Sequence, residues 1–68
     1  MASYYVNNRE QPNGDHEVHV YGCYWLSIAQ DTKYLGEFYG CAGAVAEAKR
    51  TWSQSNGCAH CCTSCHTS

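Results

Sequence analysis

His19-Val20-Tyr21-Gly22-Cys23 sets an imidazole and a thiol four residues apart, and Cys58-Ala59-His60-Cys61 sets two thiols three apart. Two residues between thiolates let a chain curl around a tetrahedral ion with each sulfur about 2.3 Å from it. In the first pair, Gly22 leaves the backbone free to turn Cys23 toward the ion that His19 faces. Cys23 and Cys58 lie 35 positions apart, with room between them for a strand and a helix. One knuckle on a hairpin and another after a helix is a common plan for zinc modules. The two pairs together predict a closed Cys3His site of His19, Cys23, Cys58 and Cys61 holding Zn²⁺. His16 competes for the ion. On a strand, however, His16 and His19 alternate to opposite faces, and His19 has the better spacing to Cys23. His60, inside the knuckle loop, is expected on the surface.

The rest of the composition explains why such a staple is needed. A chain of 68 residues is a single domain, 1–68, and folding it hides only roughly 60% of the surface its unfolded form exposes. Below about 70–80 residues an apolar core seldom supplies more than ~3–5 kcal/mol, and a metal or disulfides make up the difference. Six cysteines and four histidines are the material for either. No apolar run approaches the ~20 residues of a membrane span. A start of Met1-Ala2-Ser3-Tyr4-Tyr5-Val6 has neither the basic stretch nor the apolar core of a secretory leader. The sequence therefore reads as cytoplasmic, where thiols bind metal more often than they pair. Four Lys and Arg against six Asp and Glu give a net charge of −2. Nucleic-acid binding depends on clustered cations displacing counterions, so it is not expected.

Outward from the two pairs, residues 4–7 and 16–21 read as strands of a hairpin. Between them, Gln11-Pro12-Asn13-Gly14-Asp15 is dense in turn chemistry. Residues 24–29 suggest a short helical turn. Tyr34-Leu35-Gly36-Glu37-Phe38 reads as a third strand, with Leu35 facing away from Tyr34 and Phe38. Residues 41–52 carry the clearest helix: Cys41, Val45, Ala48 and Trp52 form one apolar stripe, and Lys49 and Arg50 near its end suit the helix dipole. Residues 53–57 then end the helix, with Asn56-Gly57 as a turn. The expected fold is α+β: a small antiparallel sheet of two or three strands, one packed helix and a zinc staple.

Those same residues resemble a small zinc module found in Ada-type DNA-repair proteins and at the ends of bacterial nuclease-like proteins. His19, Cys23, Phe38, Ala44, Ala48, Cys58 and Cys61 carry the likeness over roughly residues 4–61. The resemblance implies the zinc fold, and through it a nucleic-acid-associated role. The basic residues that the DNA-linked members use are mostly missing here, and Thr51 to Gly57 separates the helix from the second knuckle. The whole chain is also similar to short bacterial proteins ending in Cys-His-Thr-Ser, a likeness that implies no activity.

Cys41, Cys62, Cys65 and His66 remain outside the four-ligand set. A second metal site and a disulfide, for example between Cys41 and Cys65, are both open to them, as are free thiols, with 62–68 a candidate mobile tail. Cys62-Thr63-Ser64-Cys65-His66 has the haem-attachment spacing, but haem would need an oxidising compartment and an apolar pocket. Cys41 could be a nucleophile in a first helical turn, although heading the apolar stripe is the simpler role, and no base is placed beside it. The functional expectation is a non-enzymatic interaction module for a protein partner or a second copy, with Tyr21, Tyr24, Trp25 and Tyr39 as contact residues. The alternative is metal sequestration or thiol redox sensing by the Cys-rich tail.

Overall fold

The computed structural model describes residues 1–67 and forms a four-stranded mixed sheet with two helices. In chain order these are β1 (Ala2–Asn7), β2 (His16–Val20), α1 (Tyr24–Ile28), β3 (Thr32–Phe38), α2 (Cys41–Ala48) and β4 (Ser55–Gly57). A single 3-10 turn, Thr63–Cys65, follows β4. The sheet order is β3-β1-β2-β4. β1 runs antiparallel to both β2 and β3, whereas β4 runs parallel to β2.

Alternation along the hairpin divides the sheet into two faces. Val6 pairs with Val18 and Tyr4 with Val20, and Val6, Val18 and Tyr4 are buried with Ala44 and Ala48 of α2. Small alanines let the helix lie close to the sheet, and Val45, Cys41 and Phe38 pack around the contact. His19 pairs with Tyr5, which places it on the opposite face.

Four strands replace the two or three expected, and the fourth explains the miscount. Ser55-Asn56-Gly57 has the composition of a turn, yet all three residues are buried. Asn56 compensates for its own burial. Its side-chain amide donates to Asp15 Oδ2 (3.3 Å) and to the Thr67 carbonyl (3.1 Å). Its Oδ1 accepts from the backbone N–H groups of Gly57 (3.0 Å) and Thr67 (2.9 Å). A buried amide with its bonds made avoids the cost of an unpaired polar group. Gly57 is required for a different reason: a Cβ there would lie 2.8 Å from the Cys62 carbonyl oxygen and 2.8 Å from Cys65 Cβ.

Two smaller differences also have local causes. The helix ends at Ala48 rather than Trp52, so Lys49 is its cap and Arg50 lies beyond it. Trp52 instead stacks on His16 at 4.2 Å between ring centres and donates its indole N–H to Asn8 Oδ1 at 3.0 Å. In β3 the register slips between the partners of Tyr4 and Tyr5, leaving Leu35 as a bulge ahead of Gly36 at φ 119°. The bulge resets the alternation, and Leu35 and Phe38 both pack against the core while Tyr34 is exposed.

Candidate metal centre

The site begins where β2 ends. After Val20 the chain reverses through Tyr21 and Gly22, and Gly22 takes φ 94°, a left-handed conformation that suits glycine. The turn is closed by the Cys23 N–H donating to the Val20 carbonyl at 3.0 Å, and Cys23 then caps α1. The second pair arrives through β4. Parallel pairing sets Val18 against Gly57, and the Cys58 N–H donates to the Val18 carbonyl at 2.9 Å. This register delivers Cys58 alongside His19. The Cys62 N–H reaches back to the Cys58 carbonyl at 2.9 Å, curling the chain so that Cys61 returns to the same place.

The result is one group of four donors, His19, Cys23, Cys58 and Cys61, whose ligand atoms all lie within 4.8 Å of one another. His19 Nδ1 is 3.7 Å from Cys23 Sγ and 3.9 Å from Cys61 Sγ. A tetrahedral ion with Zn–S of about 2.3 Å and Zn–N of about 2.1 Å requires donor separations of roughly 3.6–3.8 Å. The four residues thus fit a tetrahedral ion of this size with small adjustments. His19 and Cys58 are each 1% exposed, so the centre is closed to water on those sides.

The surroundings favour this use of the donors. His19 turns Nδ1 toward the thiols, while its Nε2 faces Glu17 Oε1 at 3.7 Å. A carboxylate behind the far nitrogen favours the tautomer with a proton on Nε2 and a lone pair on Nδ1. Burial lowers the His19 pKa, with Glu17 opposing the shift, so the ring is held neutral. At Cys23, burial raises the thiol pKa, but hydrogen bonds from Cys61, from the Leu26 and Trp25 N–H groups and from Cys58 together outweigh it and leave the pKa lowered. Burial and the bond to Cys23 push Cys61 strongly upward. The Cys23 thiol is therefore the easier of the two to ionise, and a divalent cation would displace the proton that Cys61 holds more tightly. The His60 N–H lies 3.4 Å from Cys58 Sγ, a further donor to a sulfur.

The remaining histidines and cysteines have other places. His16 is turned away from the group, with Nδ1 3.0 Å from the Asn7 carbonyl oxygen. His60 is exposed with its ring 5.4 Å from Trp25. Cys41 and Cys65 form a disulfide between the start of α2 and the 3-10 turn. His66 Nδ1 lies 3.0 Å from the Gly57 carbonyl oxygen. Cys62 is a buried free thiol whose Sγ sits 4.0 Å from that of Cys61. The second set therefore does not converge on one point. Residues 62–67 lie against β4 and α2, tied by Asn56 and the disulfide. Ser68, the end of the candidate tail, falls outside the described residues.

Sequence reasoning did not single out Glu17 or Asn56. Glu17 had a usable signal, since two residues before His19 on a strand is the same face. Asn56 had none, because its partners Asp15 and Thr67 are distant in sequence.

Comparison with protein-family models, curated proteins and solved structures finds no match to this chain. No helix among the described residues is long and apolar enough to cross a membrane.

Proposed function

We propose that this chain is a small non-enzymatic interaction module stapled by one Zn²⁺ on His19, Cys23, Cys58 and Cys61. The observation that carries this reading is the convergence of four donors from two separate stretches of chain on one partly buried point. Three thiolates and an imidazole in a tetrahedral set suit zinc, and four protein ligands leave no open position for catalysis.

The interaction part of the reading rests on α1. None of its five residues is buried: Tyr24 is 66% exposed, Trp25 41% and Ile28 52%, beside Tyr21 at 74%. Tyr21, Gly22, Cys23, Tyr24, Leu26 and Ser27 line an open groove of about 360 Å³. All ten charged residues fall within 9–17 and 31–50, so the stretch that builds this face carries none. An exposed apolar patch of this kind marks a contact surface, here one for an uncharged partner surface, on another protein or a second copy, rather than for phosphate. Tyr39, 93% exposed, belongs to the turn between β3 and α2.

Elemental analysis with thiol counting on native protein tests the reading. One zinc per chain is the expected result, with Cys62 buried and Cys23, Cys58 and Cys61 held by the ion, so that four thiols react once unfolding and a chelator release them. Two or more readily exchanged metals per chain would instead favour sequestration.

A further inference from the structure

The disulfide and the metal group hold the same short segment from two sides. Cys58 and Cys61 reach the metal group, and Cys65, four residues further, is bonded to Cys41 at the start of α2. Between them, backbone bonds run from the Cys62 N–H to the Cys58 carbonyl (2.9 Å) and from the Cys65 N–H to the Cys62 carbonyl (3.0 Å). The Cys62 side chain is 3% exposed and belongs to the apolar core. Gly57 lies so close beneath that a Cβ on it would meet both Cys62 and Cys65 at 2.8 Å. In a close-packed interior without slack, the position of Cys65 is thereby coupled to that of Cys58 and Cys61.

Building on the zinc reading above, we infer that the Cys41–Cys65 disulfide is a redox-controlled lock on the metal centre. Oxidised, it holds residues 58–65 in the arrangement that binds the ion. Reduced, it releases Cys65 from α2, and the knuckle must be ordered at the moment of binding, so affinity falls. The coupling is reciprocal: bound metal makes the disulfide harder to reduce.

Both sulfurs belong to partly exposed residues, which leaves the bond open to a small monothiol of the glutathione class. A monothiol thiolate attacks one sulfur, forming a mixed disulfide and expelling the other cysteine as a thiolate, which takes up a proton. A second monothiol thiolate attacks the monothiol sulfur of that mixed disulfide and expels the remaining cysteine, which is protonated in turn. One protein disulfide is reduced, two monothiols are oxidised to their disulfide, and the two protons end on Cys41 and Cys65. The Ser64 hydroxyl, 3.2 Å from Cys41 Sγ, is placed to donate to Cys41 as it leaves.

The test is zinc affinity of the full chain by competition with a chromophoric chelator, for the disulfide-bonded protein and for the Cys41→Ser/Cys65→Ser double variant. Affinity at least tenfold weaker in the variant is expected; values within twofold would overturn the lock. The wild-type chain gives a second measurement that does not depend on the variant folding. Glutathione ratios that half-reduce the disulfide, read by alkylation and mass spectrometry, should rise by the same factor when zinc is saturating. An unchanged ratio would also overturn it. Failure of the disulfide-bonded protein to bind zinc at all would instead overturn the zinc reading, and the lock with it.

Discussion

The two faces of β2 are held by different physics. On one, Val18 packs with Val6, Ala44 and Ala48, all 0% exposed, in a small apolar core between sheet and α2. On the other, the buried groups are His19 and Cys58, and α1 beyond them buries nothing. Apolar contacts are many and individually weak, so that core can lose part of its strength and persist. A cluster of imidazole and thiols gains little from burial by itself and depends on what it binds. One half of this molecule should therefore fail gradually and the other all at once.

Removing a ligand breaks the comparison most severely. Structural zinc carries an apparent ~10–16 kcal/mol in small metal-folded domains. Cys58→Ser should accordingly abolish stoichiometric zinc binding and lose the ordered amide signals of α1 and residues 58–67 in NMR spectra. A variant that keeps both would contradict the assignment of Cys58. Val18→Ala, three residues before Tyr21 but in the apolar half, should cost only about 2 kcal/mol in chemical denaturation. Its zinc stoichiometry should stay at one, since its side chain lies on the face opposite His19 and the backbone bond from the Cys58 N–H to its carbonyl is kept.

Glu17→Gln sharpens the contrast without deleting a ligand. Partners behind a metal-bound histidine typically contribute 10–100-fold in affinity, and a weakening in that range by chelator competition is expected, with the fold intact. Equal affinity would show that Glu17 does not orient His19.

The pH response separates the metal-free from the metal-bound protein. The His19 pKa is lowered by burial, so below the unfolded value of about 6.5 the unfolded chain binds the extra proton and the metal-free fold weakens. Burial raises Cys61 and Cys62, so above about 8.5 the unfolded thiols ionise first and the metal-free fold weakens again. With metal bound, Cys61 has given up its proton and its share of the alkaline loss should disappear, leaving the smaller loss that comes from Cys62. Denaturation midpoints followed from pH 5 to 10 would check this, and the same alkaline decline in both forms would argue against Cys61 as a ligand.

Much of the site was legible because metal ligation leaves short-range spacing: His19 to Cys23 and Cys58 to Cys61 each announce themselves within five residues. The hairpin and α2 were legible through turn chemistry and apolar period. What stayed hidden was long-range. β4 is a strand only because β2 offers it an edge and because Asp15 and Thr67 satisfy Asn56, and neither is written in Ser55-Asn56-Gly57. The facing of Leu35 was lost to a bulge that shifts the alternation by one residue. The Cys41–Cys65 disulfide could be named as one option among several, but spacing alone could not select it.

The central claim is that one ion organises the Cys/His end of the fold. The most direct measurement is amide hydrogen exchange on the disulfide-bonded protein before and after extraction of its metal by a chelator. The account predicts one zinc per chain beforehand, followed by collapse of protection at residues 19–28 and 55–65 and retention of a weaker core around Val6, Val18 and Ala44. Native protein that contains no metal, or whose protection at His19, Cys23, Cys58 and Cys61 is unchanged by extraction, would contradict it.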